Sequence, residues 1–563
     1  MRLLALMAMG LPMAPRAFEQ PQYVCLNKMY GCAGSDTCWN ENQPATFTQA
    51  SVDAMLSSVA GKRGASASRR LCIGYQFDVL DGSSTDVKLR SLSALMDLSM
   101  ANDLPIMVTV DAFEFWQGAP DLWNWWNSTL PGFEPANVAN VEWTSWSSAN
   151  ATAIAWCNWG SQFRKAPHPN LASPAFRQRA KAAMMPLAAA LAQWYGAVLL
   201  PSGRGYLLAG VKCSWEAWIG TNYYFYPGGN GLVNSPSTGD PTTGVSGSVQ
   251  LGYAALCSIG ARGGAPPDCG INASRAPAPL TGAQVDLILN EYLEFVGGVV
   301  ADAGVPRHKL FTHAGSFFGA PPTATIAFNS PSASITARSR PGWSLYGKEN
   351  PDAYAGLSAA LDRLGLPVPW GATEWLYTGG NPGTPLQQWV AAFNNTLNWR
   401  NNRLVDVFNV RASLPSFALA GCVPPNLVPA DRASVVLQWE FMGATAQQAA
   451  AIVLDEAPRC LVDSPGSLKA ARLHKSAWAL TWTAAVDAQS LQLQAASQPS
   501  MLPSGLLAAP DLAVQELDGQ ANGTVLALPG FPGERVYWTV VAVGCERAQA
   551  AVAPVAFIEW ALA

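Results

Sequence analysis

The chain has 563 residues, of which 49% are hydrophobic and 13% are charged, and its formal net charge is −4. This length exceeds that of one ordinary domain, and the charge balance offers no basic surface for nucleic acid or an anionic membrane. No uninterrupted apolar run reaches the roughly 18–20 residues that a membrane span requires. These properties favour a large globular protein, and they exclude nucleic-acid binding and membrane insertion as its main task.

The N-terminus and the cysteines bear on the compartment. Residues 1–19 resemble a secretory signal peptide, because Arg2 is followed by an apolar run. Several of the 11 cysteines lie in loop-like sequence, which favours disulfides in an oxidising compartment. Five N-x-[ST] glycosylation triplets begin at Asn127, Asn150, Asn272, Asn394 and Asn522. We expect a secreted, extracellular or cell-wall protein, or one of the endomembrane lumen.

Strand and helix patterns alternate over residues 20–455. Short apolar runs predict strands at 22–26, 71–77, 105–110, 207–212, 309–312, 343–346, 368–373 and 404–410. Helical spacing predicts helices at 48–60, 86–102, 173–193, 283–303, 352–364 and 385–400. Residues 223–282, rich in Gly, Pro and Ser, are predicted to be a long loop that shapes a cleft. The alternation indicates α/β structure, and the absence of phosphate-binding glycine motifs favours a closed (β/α)8 TIM barrel.

The pattern changes after Cys460. Short runs with aromatic and β-branched residues, divided by Gly/Pro turns, lie at 477–482, 490–494, 524–528 and 535–543. This pattern predicts a small all-β sandwich at residues 465–563, which resembles a fibronectin type III domain. We expect it to contribute spacing or docking and no catalysis.

Two segments end in a carboxylate beside a tryptophan, namely Leu207–Glu216 and Val368–Glu374. Each begins as an apolar run of the buried-strand type. In a barrel, the C-terminal ends of the strands face the active site, so Glu216 and Glu374 would meet at one mouth. Two carboxylates delivered in this way are the minimum equipment for cleaving a glycosidic bond. Counting strands puts Glu216 at the fourth and Glu374 at the seventh.

Other polar residues end predicted strands and are candidates for substrate binding. Asp111 and Glu114 follow the strand at 105–110, His313 ends the strand at 309–312, and Tyr346 could hydrogen-bond the nucleophile. Glu440 has the same strand–Trp–Glu pattern, and its strand could close the barrel instead of the one at 404–410.

Tryptophans supply flat apolar faces that suit sugar rings, and the chain has 22 of them. Those expected to contact substrate are Trp116, Trp123, Trp125, Trp126, Trp215 and Trp375. A large aromatic core is the competing interpretation. The polar residues and the proline around Trp123, Trp125 and Trp126 favour a loop that stacks on a ligand.

Two sequence runs carry a family resemblance. Gly371–Trp375 (GATEW) resembles the nucleophile segment of the clan A retaining glycoside hydrolases, and Gly210–Trp218 (GVKCSWEAW) is similar to their acid/base segment. The resemblance covers roughly residues 70–410 and includes glycosidase-like barrels that carry a fibronectin type III module. It implies a (β/α)8 barrel with Glu374 as nucleophile and Glu216 as acid/base. This chain departs from the clan at Trp215, where the clan has an Asn that contacts the sugar 2-hydroxyl.

The resulting hypothesis is a retaining glycosidase acting on a poly- or oligosaccharide through a glycosyl-enzyme intermediate. It needs one ionised and one protonated carboxyl about 5–5.5 Å apart. An inverting hydrolase, which needs about 6.5–9.5 Å, and a non-catalytic carbohydrate-binding barrel remain as alternatives. No cofactor is predicted, and no CxxC pair or Cys/His cluster indicates a metal.

Overall fold

The computed structural model describes residues 21–28, 49–61, 64, 69–158, 162–219, 250–262, 280–315, 326–346, 350–354, 356–364, 368–377, 383–407 and 444–455, together with eight strands between residues 469 and 559. All structural findings refer to these residues. The predicted signal segment and Glu440 lie outside them.

Eight parallel strands close into a barrel whose perimeter follows the chain order. They are β1 (Gln22–Lys28), β2 (Arg69–Asp78), β3 (Ile106–Asp111), β6 (Leu208–Ala217), β7 (Leu310–Ala314), β8 (Gly342–Tyr346), β9 (Trp370–Leu376) and β10 (Asn402–Val407). The remaining pair, β4 (Ala155–Asn158) and β5 (Gln162–Lys165), forms a separate antiparallel hairpin. The (β/α)8 fold class is confirmed, and β6 and β9 are the fourth and seventh barrel strands.

Side chains fill the part of the barrel interior that lies below the C-terminal ends of the strands. This cluster consists of Tyr23, Cys25, Cys72, Met107, Ala209, Phe311 and Leu404. Cys25 and Cys72 are paired positions on neighbouring strands and form a disulfide. The predicted presence of disulfides is confirmed, but this one joins two barrel strands 47 positions apart and not loop cysteines at short spacing; Cys257 is also disulfide-bonded. A filled interior leaves the barrel mouth as the place where polar groups can meet.

Helices cover the outside of the barrel. They are α1 (Gln49–Ser58), α2 (Thr85–Asn102), α4 (Pro174–Gln193), α6 (Gly282–Asp302), α7 (Leu357–Asp362), α8 (Pro385–Leu397) and α9 (Ala444–Asp455), with a short α3 (Pro120–Trp123) in the excursion after β3. Their starts follow from the sequence. The Ser84 side chain caps α2, and Thr281 and Thr384 each form a capping box with a Gln three residues later.

One more helix, α5 (Tyr253–Arg262), lies within the segment predicted to be a loop. The prediction is therefore wrong at these residues. The buried carboxylate of Glu142 accepts the backbone N–H groups of Gly252, Ala254 and Ala255 at the start of α5. Because this acceptor comes from more than 100 residues earlier in the chain, no local pattern could reveal the helix start.

The segment Pro174–Leu199 meets the length and composition of a membrane span. It comprises α4 and a following turn of π-helix, Trp194–Leu199. The face of α4 that carries Phe176, Ala180 and Met184 is buried in the barrel core. This one-sided burial is typical of an outer helix of a barrel.

The described residues between 469 and 559 are all in β-strands. These strands are β11 (Lys469–His474), β12 (Ala477–Thr481), β13 (Ser490–Ala496), β14 (Ala513–Asp518), β15 (Gly523–Ala527), β16 (Arg535–Val543), β17 (Ala550–Val552) and β18 (Ala556–Glu559). One antiparallel sheet has the order β11-β12-β15, and a second joins β14, β13, β16 and β17, with β18 pairing β16. Two antiparallel sheets agree with the predicted sandwich.

Candidate active site

The end of β6 is irregular at the residues that precede and include Glu216. Ser214 has φ 82° and Glu216 has φ 40°, and the pairing with β7 shifts register between Cys213 and Ala217. A bulge of this kind re-aims side chains that would otherwise alternate between the two faces of a strand. Because of this bulge, Trp215 and Glu216 both reach groups on other strands at the mouth, although they are neighbours in sequence.

Asp111, the last residue of β3, holds this irregular end in place. Its Oδ1 accepts the Ser214 hydroxyl (2.8 Å) and the backbone N–H of Trp215 (3.0 Å), and its Oδ2 accepts the N–H of Glu114 (2.7 Å). Its side chain is fully buried, and burial raises its pKa to about 6. Asp111 was predicted to bind a sugar hydroxyl. In the structure both of its oxygens accept hydrogen bonds from protein groups at the end of β6, and its contact with substrate stays a prediction.

The second carboxylate lies at a bulge as well. The register of β9 shifts between Trp343 and Ser344 on β8, so that Ser344 pairs with Glu374. Glu374 is fully buried and faces the other strands of the barrel. Trp375 points the opposite way: its ring packs 4.6 Å from that of Phe393 on α8, and its indole N–H donates to Thr396. The prediction that Trp375 contacts substrate is corrected, because alternation turns it toward the helices.

The Glu374 carboxylate accepts hydrogen bonds from two other strands, and the imidazole of a third lies beside it. The indole Nε1–H of Trp215 donates to its Oε2 at 2.7 Å, and the hydroxyl of Tyr346 donates to its Oε1. The Nε2 atom of His313 lies 3.3 Å from Oε2. Tyr346 thus makes the contact predicted for it. Trp215, although buried, points its N–H at the carboxylate.

His313 connects the two glutamates. The backbone N–H of Glu216 donates to its Nδ1 (3.0 Å), so the ring proton lies on Nε2, which is 2.7 Å from the Ser344 hydroxyl. Burial and the charge of Lys212 lower the pKa of His313 well below its usual value, so the ring is neutral. It is fully buried. Its ring lies between the two glutamate segments, and its contact with substrate stays a prediction.

Glu216, His313 and Glu374 each present one side-chain atom within 4.8 Å of the other two. Two carboxylates and an imidazole could in principle bind a metal ion. A metal ion would need the lone pair of Nε2, and the hydrogen bond at Nδ1 leaves the proton on Nε2. The imidazole is therefore arranged to form hydrogen bonds and not to bind a metal ion.

Burial is the main cause that raises the pKa of both glutamates, and a neighbouring carboxylate adds to it in each case, Glu114 for Glu216 and Glu216 for Glu374. Loss of water raises the pKa of Glu216 to about 7, with the Ser344 hydroxyl acting against the shift. Burial and the charge of Glu216 raise the pKa of Glu374, and Lys212, Tyr346 and Trp215 oppose that rise. The Lys212 cation and the Tyr346 hydroxyl favour the ionised form of both carboxylates, and the indole N–H of Trp215 favours that of Glu374 as well.

The tryptophan-rich segment divides into two groups. Trp116 is buried, packs edge-on against Phe176 of α4 and donates its N–H to the Pro167 carbonyl. Trp123 is buried too and donates to the Trp116 carbonyl. The prediction that these two indoles stack on sugar is corrected, because their faces are covered by the core.

Trp125 and Trp126 are only partly buried. The indole of Trp126 packs 5.6 Å from that of Trp123, and Trp125 donates its N–H to the Thr152 carbonyl. They remain candidates for stacking. Glu114 is buried, and its charge acts on Glu216, so it belongs to the same mouth. It remains a candidate for substrate binding.

The structure brings three further residues to this site that were not predicted from the sequence. Ser214 sits at the β6 bulge, Ser344 contacts His313, and Lys212 lies beneath the two glutamates. The serines carry no signal in a single sequence. The lysine does carry one, because a charge in the middle of an apolar strand calls for a buried partner.

No family model matches the chain, and no curated protein matches it. Among solved structures, the chain is similar to a glycoside hydrolase family 30 subfamily 8 xylanase from Clostridium acetobutylicum, with 10% identity over 91% of this chain and 95% of that one and a TM-score of 0.30. It is similar to endo-glycoceramidase II from Rhodococcus sp., with 8% identity over 91% of this chain and 98% of that one and a TM-score of 0.31.

A human collagen XX FN3 domain is similar at 15% identity, over 17% of this chain and 88% of that one, with a TM-score of 0.13. Identities and TM-scores this low assign neither a family nor an activity. The functional case therefore depends on the geometry of the barrel mouth.

Proposed function

We propose that the protein is a retaining glycoside hydrolase, with Glu374 as nucleophile and Glu216 as general acid/base. The observation that carries the proposal is the spacing of the pair: one oxygen of each carboxylate lies within 4.8 Å of the other. Retaining enzymes hold their carboxyl groups about 5–5.5 Å apart, whereas inverting enzymes need room for a water molecule and about 6.5–9.5 Å.

The surroundings of each glutamate suit its proposed role. Glu374 accepts donors from Trp215 and Tyr346, which favour its ionised form and fix its direction of attack on the anomeric carbon. Glu216 is only partly buried, and its pKa of about 7 leaves it protonated in mildly acidic solution. It would protonate the leaving oxygen first. It would then take a proton from the water that hydrolyses the glycosyl-enzyme.

The first test is the stereochemistry of the product. We would screen aryl glycosides and algal or plant polysaccharides, then follow the first-formed anomer of an active substrate by proton NMR. Retention supports the proposal. Inversion would replace it with the inverting alternative. Binding of carbohydrate without turnover of any substrate would favour the non-catalytic barrel.

The second test separates the roles of the glutamates. Glu374→Ala should abolish turnover, and azide should restore it with a glycosyl azide of inverted configuration. Glu216→Ala should spare substrates whose leaving groups need little protonation, and azide should then give the retained configuration. Glu294→Gln, at an exposed ion pair with Arg338, is the control and should keep full activity. Equal losses on every substrate without rescue would contradict these roles.

We also propose that the protein is exported, as the signal-like residues 1–19 suggest. The Cys25–Cys72 disulfide supports this, because structural disulfides persist mainly in oxidising compartments. Expression with the native N-terminus, followed by N-terminal sequencing of the protein in the medium, tests it. Retention in the cytosol with an intact N-terminus would contradict it.

A further inference from the structure

A lysine is buried in the barrel interior below the two glutamates. Lys212 lies on β6, four residues before Glu216, and its side chain has no exposed surface. Its ammonium group donates to Oδ2 of Asp406 at 2.7 Å and to the carbonyl oxygen of Thr373 at 2.9 Å. Asp406 is equally buried and lies on β10.

These contacts cross the barrel and join the strands that carry the site. Thr373 is the residue immediately before Glu374, at the irregular part of β9. Asp406 also accepts the side-chain amide of Asn27 on β1 at 3.1 Å. Lys212 therefore connects the strand of one glutamate to the strand of the other, and Asp406 extends the connection to β10 and β1.

The buried position of Lys212 strengthens the effect of its charge on the neighbouring titratable groups. A charge interacts with its neighbours far more strongly inside a protein than in water, because the interior screens it poorly. Lys212 favours the ionised forms of Glu216 and Glu374, and it disfavours the protonated form of His313. The effects on Glu374 and His313 have the sign that the proposed chemistry needs, whereas at Glu216 burial outweighs the effect of Lys212 and keeps the pKa raised.

We propose that Lys212 is a positioning residue of the active site. Its ammonium anchors the nucleophile strand through Thr373 and supplies positive potential beneath the paired carboxylates, with Asp406 as its counter-ion. The assignment of Glu374 as nucleophile rests on the proposed function, whereas the electrostatic coupling itself does not.

Among the described residues, several charged or titratable groups act on Glu374, on Glu216 or on Lys212. They are Glu216 and Lys212 on β6, His313 on β7, Tyr346 on β8, Asp406 on β10 and Glu114 after β3. His313 is neutral and Tyr346 stays protonated, because burial raises its pKa. Lys212 is therefore the cation in this set.

The test reads the ionisation of Glu374 without any substrate. The indole N–H of Trp215 donates to Glu374, so its nitrogen-15 chemical shift should follow the charge on that carboxylate. The signal is assigned by its disappearance in Trp215→Phe and is then followed from pH 4 to pH 9. Lys212→Gln, which keeps a donor and loses the charge, should move the midpoint upward by about one pH unit.

Asp406→Asn should move the midpoint downward, because it removes the negative partner and leaves the cation. Lys309→Met is the matched control: this lysine is also buried but precedes β7 at the opposite end of the barrel, and its replacement should leave the midpoint unchanged. Opposite shifts support the proposal. Unchanged midpoints, or shifts in the same direction for Lys212→Gln and Asp406→Asn, would overturn it.

Folding and function are separated in the same series. The double variant Lys212→Met/Asp406→Leu replaces the buried pair with apolar groups, a change that folded proteins often tolerate. It should fold and move the midpoint upward by less than Lys212→Gln does, because it removes the negative partner together with the cation. A folded double variant with the wild-type midpoint would also overturn the proposal. If the wild-type protein showed no turnover, that result would count against the glycosidase assignment. The midpoints would still test the electrostatic coupling between Lys212 and Glu374.

Discussion

Trp215 donates its indole N–H to Oε2 of Glu374 across 2.7 Å, so the residue before one glutamate binds the other glutamate. This hydrogen bond connects the fourth and seventh barrel strands. It depends on the bulge at the end of β6, where Ser214 and Glu216 adopt positive φ values. The two glutamate-bearing segments therefore hold each other in position.

We predict that Trp215→Phe lowers kcat by about tenfold, because one hydrogen bond to a charged group is worth roughly 1.5–3 kcal/mol. The acidic limb of the kcat/KM profile should move to higher pH, since a donor that favours the ionised form of Glu374 is lost. Steady-state kinetics between pH 4 and pH 9 would measure both effects.

Trp375→Phe is the matched control for this prediction. It also removes one indole N–H, but that N–H donates to Thr396 on the outer side of β9. We expect a lower free energy of unfolding and an unchanged pH profile. The prediction for Trp215 is contradicted if both variants change the profile alike.

We predict that Asp111→Ala lowers kcat more than it raises KM. Its carboxylate accepts the N–H groups of Glu114 and Trp215 and the hydroxyl of Ser214, so its loss leaves buried donors without an acceptor. The cost to stability should be about 2–4 kcal/mol, measured by denaturant unfolding. The strained end of β6 should relax and misplace Glu216.

Asp286→Ala serves as its control, because that carboxylate likewise accepts a backbone N–H and a hydroxyl, both from Ser330 on the outer surface. It should cost stability and leave kcat unchanged. An equal fall in kcat for Asp111→Ala and Asp286→Ala would show that Asp111 acts only through global stability.

We predict that Glu216 sets the alkaline limb of activity. Burial raises its pKa from 4.5 to about 7, so kcat/KM should fall above pH 7 as the general acid loses its proton. The folded protein binds this proton more tightly than the unfolded chain does. Stability should therefore decrease as the pH rises from about 4.5 to 7.

Glu216→Gln removes the titration and should be more stable than the wild type at pH 8 by about 2 kcal/mol. Denaturant unfolding at pH 5 and pH 8 measures the difference. If the free energies of unfolding of Glu216→Gln and the wild type differed by the same amount at pH 5 and pH 8, the elevated pKa of Glu216 would be refuted.

We predict that Trp126→Ala raises KM about fivefold, since stacking on an aromatic ring is worth on the order of 1 kcal/mol. Its indole is partly exposed. Trp116→Ala should instead lower the free energy of unfolding by about 3–5 kcal/mol and leave KM unchanged, because that indole is buried against Phe176. An unchanged KM for Trp126→Ala would assign the whole segment to the core.

Apolar strands and helical spacing predicted the barrel well, because these patterns are local. Helix α2 (Thr85–Asn102) matches the prediction of 86–102, and β8 (Gly342–Tyr346) matches 343–346. The start of α5 escaped prediction, because its cap comes from the distant Glu142. The tryptophans were harder still, since composition alone does not tell a covered indole such as Trp116 from a partly exposed one such as Trp126.

The sequence by itself determined the fold class, the order of the strands, and the delivery of Glu216 and Glu374 to the same mouth, because chain direction and hydrophobic period decide these. Only the tertiary structure decided which neighbours serve the glutamates. Alternation turns Trp375 outward, whereas the bulge turns Trp215 inward onto Glu374. The Lys212–Asp406 pair likewise joins residues 194 positions apart. Such contacts follow from barrel closure, which no local pattern encodes.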